Sequence, residues 1–211
     1  MIKRPLVTLL YEDARGQISG FGLHRLIVAS VWDKVGGGAE RFLLEKALEP
    51  RCMKGVERII AVCRDDLENI ARDGRQVAAI VDEDVIREKL NAPASASVPE
   101  VADRLRARCP ASVREQLAVF IIQRNTETVL RATRDCINEQ GLDLLEAGLV
   151  DRALRKELLA RDQVLNRAAQ QTHSLVRQCI LTKVPSLSAL ITWLSESYRQ
   201  SSKPGGQLQP S

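Results

Sequence analysis

Four times in its first 123 residues the chain returns to a short apolar run, and a helix-length segment separates most runs from the next. The runs are PLVTLL (5–10), VERIIAVCR (56–64), RQVAAIV (75–81) and REQLAVFIIQ (114–123). None shows the strict apolar–polar alternation of a half-exposed strand. Continuous runs of this kind belong to parallel strands buried on both faces. Between them, LHRLIVASVWDKV (23–35) places apolar residues at helical spacing and stops at Gly36-Gly37-Gly38. AERFLLEKALEP (39–50) reads as a helix closed by Pro50, and DDLENIARDG (65–74) as one with acids in its first turn and Gly74 just past its end. Three further helices are expected over DEDVIREKLN, EVADRLRARC and RNTETVLRATRDCIN, with APASASVP (92–99) as a surface loop. The expected fold class is therefore α/β, a mostly parallel, Rossmann-like sheet flanked by helices.

Residues 141–200 carry no strand-like run and read as a helical C-terminal region, including the amphipathic stretch LVDRALRKELLARDQVL. The tail SSKPGGQLQPS is low in hydrophobics and expected to be disordered. The expected organisation is a core over 1–140, a helical extension over 141–200 and a tail over 201–211. With 45% hydrophobic residues in 211, one full core and a small appendage are within reach. The net charge of +4 permits contact with nucleic acid without demanding it. Cys52, Cys63, Cys109, Cys136 and Cys179 are scattered with no CxxC pair, so a zinc ribbon is not expected and all five read as reduced thiols. The longest apolar runs, about seven residues, fall far short of the ~20 that span a bilayer. MIKRPLVTLLYED turns acidic before a signal-peptide core can form, so a cytoplasmic location is expected.

Three of the runs end in acids: Glu12-Asp13, Asp65-Asp66 after Arg64, and Asp82-Glu83-Asp84. Ligands of parallel sheets gather beyond the carboxyl ends of the strands. Residues two apart on an extended chain point the same way, so Asp82 and Asp84 are expected to face one point with Glu83 turned aside. If the first and third runs are neighbours, Glu12 joins them. Converging carboxylates repel one another, and a hard divalent cation such as Mg²⁺ removes that cost. The same acids also suit helix capping, which is the expectation for Asp65 and Asp66 and an open alternative for Asp82 and Asp84. Other chemistries have less support. No nucleophile–base spacing, GxGxxG or GxxxxGK[ST] pattern occurs, and the three glycines follow a helix rather than a strand. A phosphoacceptor domain of receiver type would need its acid pair at the first strand, where only Glu12-Asp13 stands, and no strand-end lysine is evident. His24 and Arg25 open the first helix and are secondary candidates for phosphate contact, with a half-buried structural role the alternative for His24. Lys54 and Arg124 are candidates to neutralise phosphate, with a solvated surface role, the usual one for single Arg and Lys residues, as the alternative.

A glutamate after the first strand followed by DxD after a later one resembles the Toprim fold of topoisomerases, primases and overcoming-lysogenization-defect nucleases. The resemblance covers roughly residues 4–130. A helical region ending in VPSLSALITWLSE (184–196) looks like the ending of small bacterial Toprim-like proteins often encoded beside an ABC-type ATPase. The resemblance implies catalysis by Glu12, Asp82 and Asp84, metal binding by the same three with Glu127, and Mg²⁺ or Mn²⁺ as cofactor. It implies a nuclease acting on DNA or RNA, the effector of an anti-phage defence pair, with nucleic acid and an ATPase as partners and no membrane. The alternative it leaves open is a non-catalytic Toprim-like subunit docking on the ATPase. The sequence departs from the family where glycine often follows the glutamate: Asp13 stands there, the first glycine is Gly16, and Asp13 is a secondary candidate.

Overall fold

The alternation of apolar and helical segments folds, in a computed structural model, into a four-stranded parallel sheet with helices on both faces. The structure describes residues 5–12, 22–36, 41–124, 126–142, 164–170 and 172–202. In chain order the elements are β1 (Val7–Tyr11), α1 (Gly22–Val35), α2 (Arg41–Ala47), β2 (Leu48–Cys52), α3 (Val56–Asp65), α4 (Leu67–Ile70), β3 (Gln76–Asp82), α5 (Glu83–Lys89), α6 (Val98–Arg106), β4 (Leu117–Ile122), α7 (Thr126–Glu139), α8 (Ser174–Lys183) and α9 (Pro185–Ser201). The strands lie in the order β2-β1-β3-β4.

The period-two geometry of a strand sends alternate side chains to opposite faces. Val7, Leu9 and Tyr11 of β1, with Ala78 and Ile80 of β3, point into a core under α1, α2, α7, α8 and α9. Leu10, with Val77, Ala79 and Val81, points into a second core under α3 to α6. Burial on both faces is why these strands read as unbroken apolar runs.

Two segments differ from the expectation. VERIIAVCR is the helix α3, not a strand. Its buried residues Val56, Ile59 and Cys63 are three and four apart, the spacing of one helical face. Asp65 and Asp66 consequently lie at a helix end rather than a strand end; neither side chain caps a helix, and Asp65 instead pairs with Arg64 at 2.7 Å. The helix expected over 39–50 stops at Ala47, and LEPRC is the strand β2. Among the described residues β2 is an edge strand that pairs with β1 alone, which tolerates Pro50 and its missing donor. Its Glu49 accepts from Thr8 Oγ1 at 3.0 Å and from Arg75 at 3.2 Å. Charges along this edge oppose pairing with a stray strand. A smaller difference concerns the 92–99 loop: α6 takes up Val98 and Pro99, started by a capping box between Ser97 and Glu100.

The C-terminal helices share the first core with β1 and α1, so residues on both sides of position 140 bury one another. Trp193 of α9 packs on Phe120 of β4, ring centroids 5.6 Å apart. Arg177 of α8 is 1% exposed and grips Asp33 of α1 with two bonds of 2.6 and 2.8 Å. It also donates to the carbonyls of Ala168, at 2.9 Å, and Gln170. Most of the amphipathic stretch 149–165 and the tail 203–211 lie outside the described residues; Val164 and Leu165 are buried in the shared core.

The reduced state expected of all five cysteines does not hold. Cys136 of α7 and Cys179 of α8 form a disulfide across 43 residues, while Cys52, Cys63 and Cys109 remain thiols. No spacing rule in the sequence points to this pair, because helix packing alone brings the two together. A cross-link over such a loop contributes about 4 kcal/mol in the chain-entropy account. Among the described residues no helix is long and apolar enough to cross a membrane.

Candidate functional site

β1 and β3 are hydrogen-bonded neighbours, so the expected meeting of Glu12 with the acids after β3 has its structural basis. The chain leaves β1 for α1 on one face and β3 for α5 on the other. An order of 2-1-3-4 reverses direction between β1 and β3, and it is outside the carboxyl ends at such a reversal that α/β sheets bind ligands. Glu12 and Asp82 stand at that point. Glu12 Oε2 accepts the backbone N–H of Asp82 at 3.0 Å, so the glutamate side chain reaches across to the end of β3. The Glu12 carbonyl accepts the N–H of Gly55 at 2.7 Å. Gly55 has φ of 121°, a conformation that favours glycine, so the loop after β2 is fastened to the end of β1.

The three acids after β3 have different roles. Asp82 occupies the N-cap position of α5 but makes no side-chain cap hydrogen bond. The capping alternative holds for its position but not for a side-chain cap bond. Glu83 begins the helix and pairs with Arg87 one turn on, at 2.8 and 3.0 Å. It also accepts the Arg124 N–H at 3.3 Å. The Arg87 bond, more than any other influence, holds the Glu83 carboxyl below its usual range. The sequence carried a signal for this pair in the Glu–Arg spacing of four. Asp84 sits in the first helical turn, exposed, with Oδ1 accepting the N–H of Val85 at 2.9 Å. The helix starts one residue after Asp82, so strand periodicity does not carry Asp84 onto the face of Asp82.

Glu127 lies in the first turn of α7, after β4, as the resemblance implied, and is exposed. Asp13 lies outside the described residues. Arg25 is exposed and donates to Asn166 at 3.4 Å. His24 is 8% exposed, with Nδ1 3.0 Å from the Tyr11 hydroxyl, so its surroundings are those of a core histidine. Burial pulls its pKa down to about 4. Below pH 6.5 the unfolded chain takes up a proton that folded His24 refuses. The stability is fully present above pH 6.5 and falls as pH drops from 6.5 to about 4, by roughly 3 kcal/mol in total. Urea midpoints at pH 7 and 4.5 are expected to show this loss, and His24→Gln to flatten it; equal slopes in both proteins would assign the acid sensitivity elsewhere.

Lys54 and Arg124 flank the acids, one after β2 and the other after β4. Both are exposed and both hold a left-handed backbone, with φ of 62° and 64°. Such conformations cost about 1–3 kcal/mol and persist where the surroundings enforce them. The fixing contacts are visible: Gly55 to Glu12, and the Arg124 carbonyl to the Asp84 N–H at 3.3 Å. The edge thus reads base, acid, acid, base across β2, β1, β3 and β4.

The donor set of Glu12, Asp82, Asp84 and Glu127 is oxygen only, which fits Mg²⁺ or Mn²⁺ rather than a soft metal. Among the described residues, however, these carboxylates are not gathered within 4.8 Å of one another; the cluster that is so gathered is Cys136, Glu139 and Cys179. The fixed contact at this edge is the Glu12 carboxylate on the backbone N–H of Asp82. A cleft of about 610 Å³ lies elsewhere, near the amino ends of β3 and β4 beside Gln76, Arg106 and Leu117. No protein-family model, curated protein or solved structure matches the chain.

Proposed function

We propose that the protein is a Mg²⁺- or Mn²⁺-dependent phosphodiesterase of Toprim type that cuts DNA or RNA at the carboxyl edge of β1 and β3. The observation that carries this reading is the placement of Glu12 against Asp82 at the point where the strand order reverses. Glu12 and Asp82 would hold the cation, with Asp84 and Glu127 as further oxygen donors at the same edge. A divalent cation supplies Lewis-acid polarisation of a phosphoryl oxygen. Lys54 and Arg124 would take the phosphodiester from either side, their charges opposite to its own. The reading extends to an effector subunit of an anti-phage defence pair working with an ABC-type ATPase, on the strength of the motif resemblance and the 184–196 helix alone.

The test is direct. The purified chain, alone and with such an ATPase, is incubated with single- and double-stranded DNA and RNA in Mg²⁺ or Mn²⁺. Cleavage is expected with the cation and not with EDTA. Lys54→Ala and Arg124→Ala are expected to raise KM by about tenfold each, the loss of one charge-assisted phosphate contact. No cation binding by calorimetry together with no cleavage of any substrate would reject the enzyme. The second reading, a non-catalytic subunit that docks on the ATPase, is favoured by the open spacing of the carboxylates. It requires stable association with the ATPase by a chain that binds no cation.

A further inference from the structure

Cys136 and Glu139 are three residues apart on α7 and so share a face. Cys179 and Lys183, four apart on α8, meet that face. One ligand atom from each of Cys136, Glu139 and Cys179 lies within 4.8 Å of the other two. Glu139 Oε2 is 3.4 Å from Cys179 Sγ, and Glu139 Oε1 is 2.5 Å from Lys183 Nζ. We propose that the reduced chain binds one Zn²⁺ between α7 and α8 through Cys136, Cys179 and Glu139, and that closing the Cys136–Cys179 disulfide expels it.

Three arguments support the site. The first is ligand spacing. Tetrahedral Zn²⁺, with bonds of about 2.3 Å to sulfur and about 2.1 Å to oxygen, sets sulfur and oxygen about 3.6 Å apart. The Cys179–Glu139 separation already matches this. The Cα atoms of the cysteines are 5.8 Å apart, so the sulfurs can part by side-chain rotation without moving the helices. The second is charge. Two thiolates and one carboxylate carry three negative charges, and Zn²⁺ with Lys183 supplies three positive ones. With the neutral disulfide closed, Lys183 alone balances Glu139 and no negative charge is left for a divalent cation to offset. The third is access: Cys136 is buried, Cys179 half-buried and Glu139 exposed, so an ion can enter from solvent and water can take the fourth position.

The chemistry balances. A dithiol reductant converts the disulfide to two thiols and is itself oxidised to a disulfide. Zn²⁺ then displaces the two thiol protons to solvent and accepts the two sulfur lone pairs. A disulfide oxidant reverses the sequence: it takes two electrons from the thiolates and two protons from solvent, is reduced to a dithiol, and frees Zn²⁺.

The experiment titrates full-length protein, reduced with a phosphine and freed of metal, with Zn²⁺ against a chromophoric chelator, and with Co²⁺ to detect thiolate-to-cobalt absorption. One ion per reduced chain and none per disulfide-bonded chain are expected. Cys136→Ser and Cys179→Ser are expected to lose binding, and Glu139→Gln to weaken it about tenfold or more. Glu139 is exposed, so Glu139→Gln tests the site without disturbing the core. A reduced wild-type chain that takes up no Zn²⁺, or equal affinity in Glu139→Gln, would overturn the proposal. The inference is independent of the phosphodiesterase reading: Asp82→Asn is expected to retain Zn²⁺ in full.

Discussion

Asp82→Asn is expected to remove cation-dependent cleavage by about a thousandfold while leaving the fold intact. The size follows from the charge. Asparagine keeps the shape of the side chain but loses the full negative charge that binds the cation. Losing about 4 kcal/mol of transition-state stabilisation at ~1.4 kcal/mol per factor of ten gives about a thousandfold. The fold is expected to survive because α5 takes no side-chain cap bond from Asp82, and the backbone N–H that Glu12 accepts is unchanged. Calorimetry with Mn²⁺ on wild type, Asp82→Asn and Asp84→Asn separates the two acids. Asp82→Asn is expected to abolish binding, whereas Asp84→Asn, whose carboxylate is turned to its own helix, should weaken it less. Wild-type activity in Asp82→Asn with normal circular dichroism would remove the metal site from β3 altogether.

The second large effect is on stability. Asp33→Ala is expected to cost about 3–5 kcal/mol, because it takes the Asp33 carboxylate away from a guanidinium that is buried in the core. The carbonyls of Ala168 and Gln170 still accept from Arg177, but neither carries a full charge. Arg177→Met is expected to cost less than Asp33→Ala. The Asp33 side chain is 19% exposed and water can reach it. The double variant should be less destabilised than the sum of the two, since with both ions gone no buried charge is left behind. Urea unfolding of the four proteins gives the coupling. A loss below about 1 kcal/mol for Asp33→Ala would mean that the pair is solvated and does not lock α8 onto α1.

The parts of the fold legible in the sequence are those where burial leaves a one-dimensional trace. β1 and β3 are buried on both faces, and the outer strand β4 sends apolar residues into both cores, so all three appear as unbroken apolar runs. α3 misleads because VERIIAVCR is short and apolar enough for either structure. Only the spacing of Val56, Ile59 and Cys63 separates the two readings, and the preceding Gly55 is the second clue. β2 escaped because an edge strand needs few apolar residues; Glu49, Pro50 and Arg51 look like the close of a helix. At the site, the reach of the Glu12 carboxylate to the backbone N–H of Asp82 follows from strand adjacency. The divergence of Asp84 did not, since it depends on which residue ends the strand. The diversion of Glu83 to Arg87 and the cysteine pair depend on side-chain geometry, and the cysteines also on the packing of distant helices.

α9 seals the first core: Trp193 lies on Phe120, Lys34 reaches Thr192 at 2.7 Å, and Arg199 caps the Lys34 carbonyl at the end of α1. On the ribosome these partners emerge in the opposite order of need. β1 and α1 are synthesised first, yet the part of their apolar surface that α9 covers stays open until α9 has cleared the exit tunnel. At about 5–20 residues per second the wait for some 190 residues is of the order of ten to forty seconds. Throughout that interval the first core lacks its last layer, and any stop codon placed before Pro185 would leave the surface that α9 covers exposed for good.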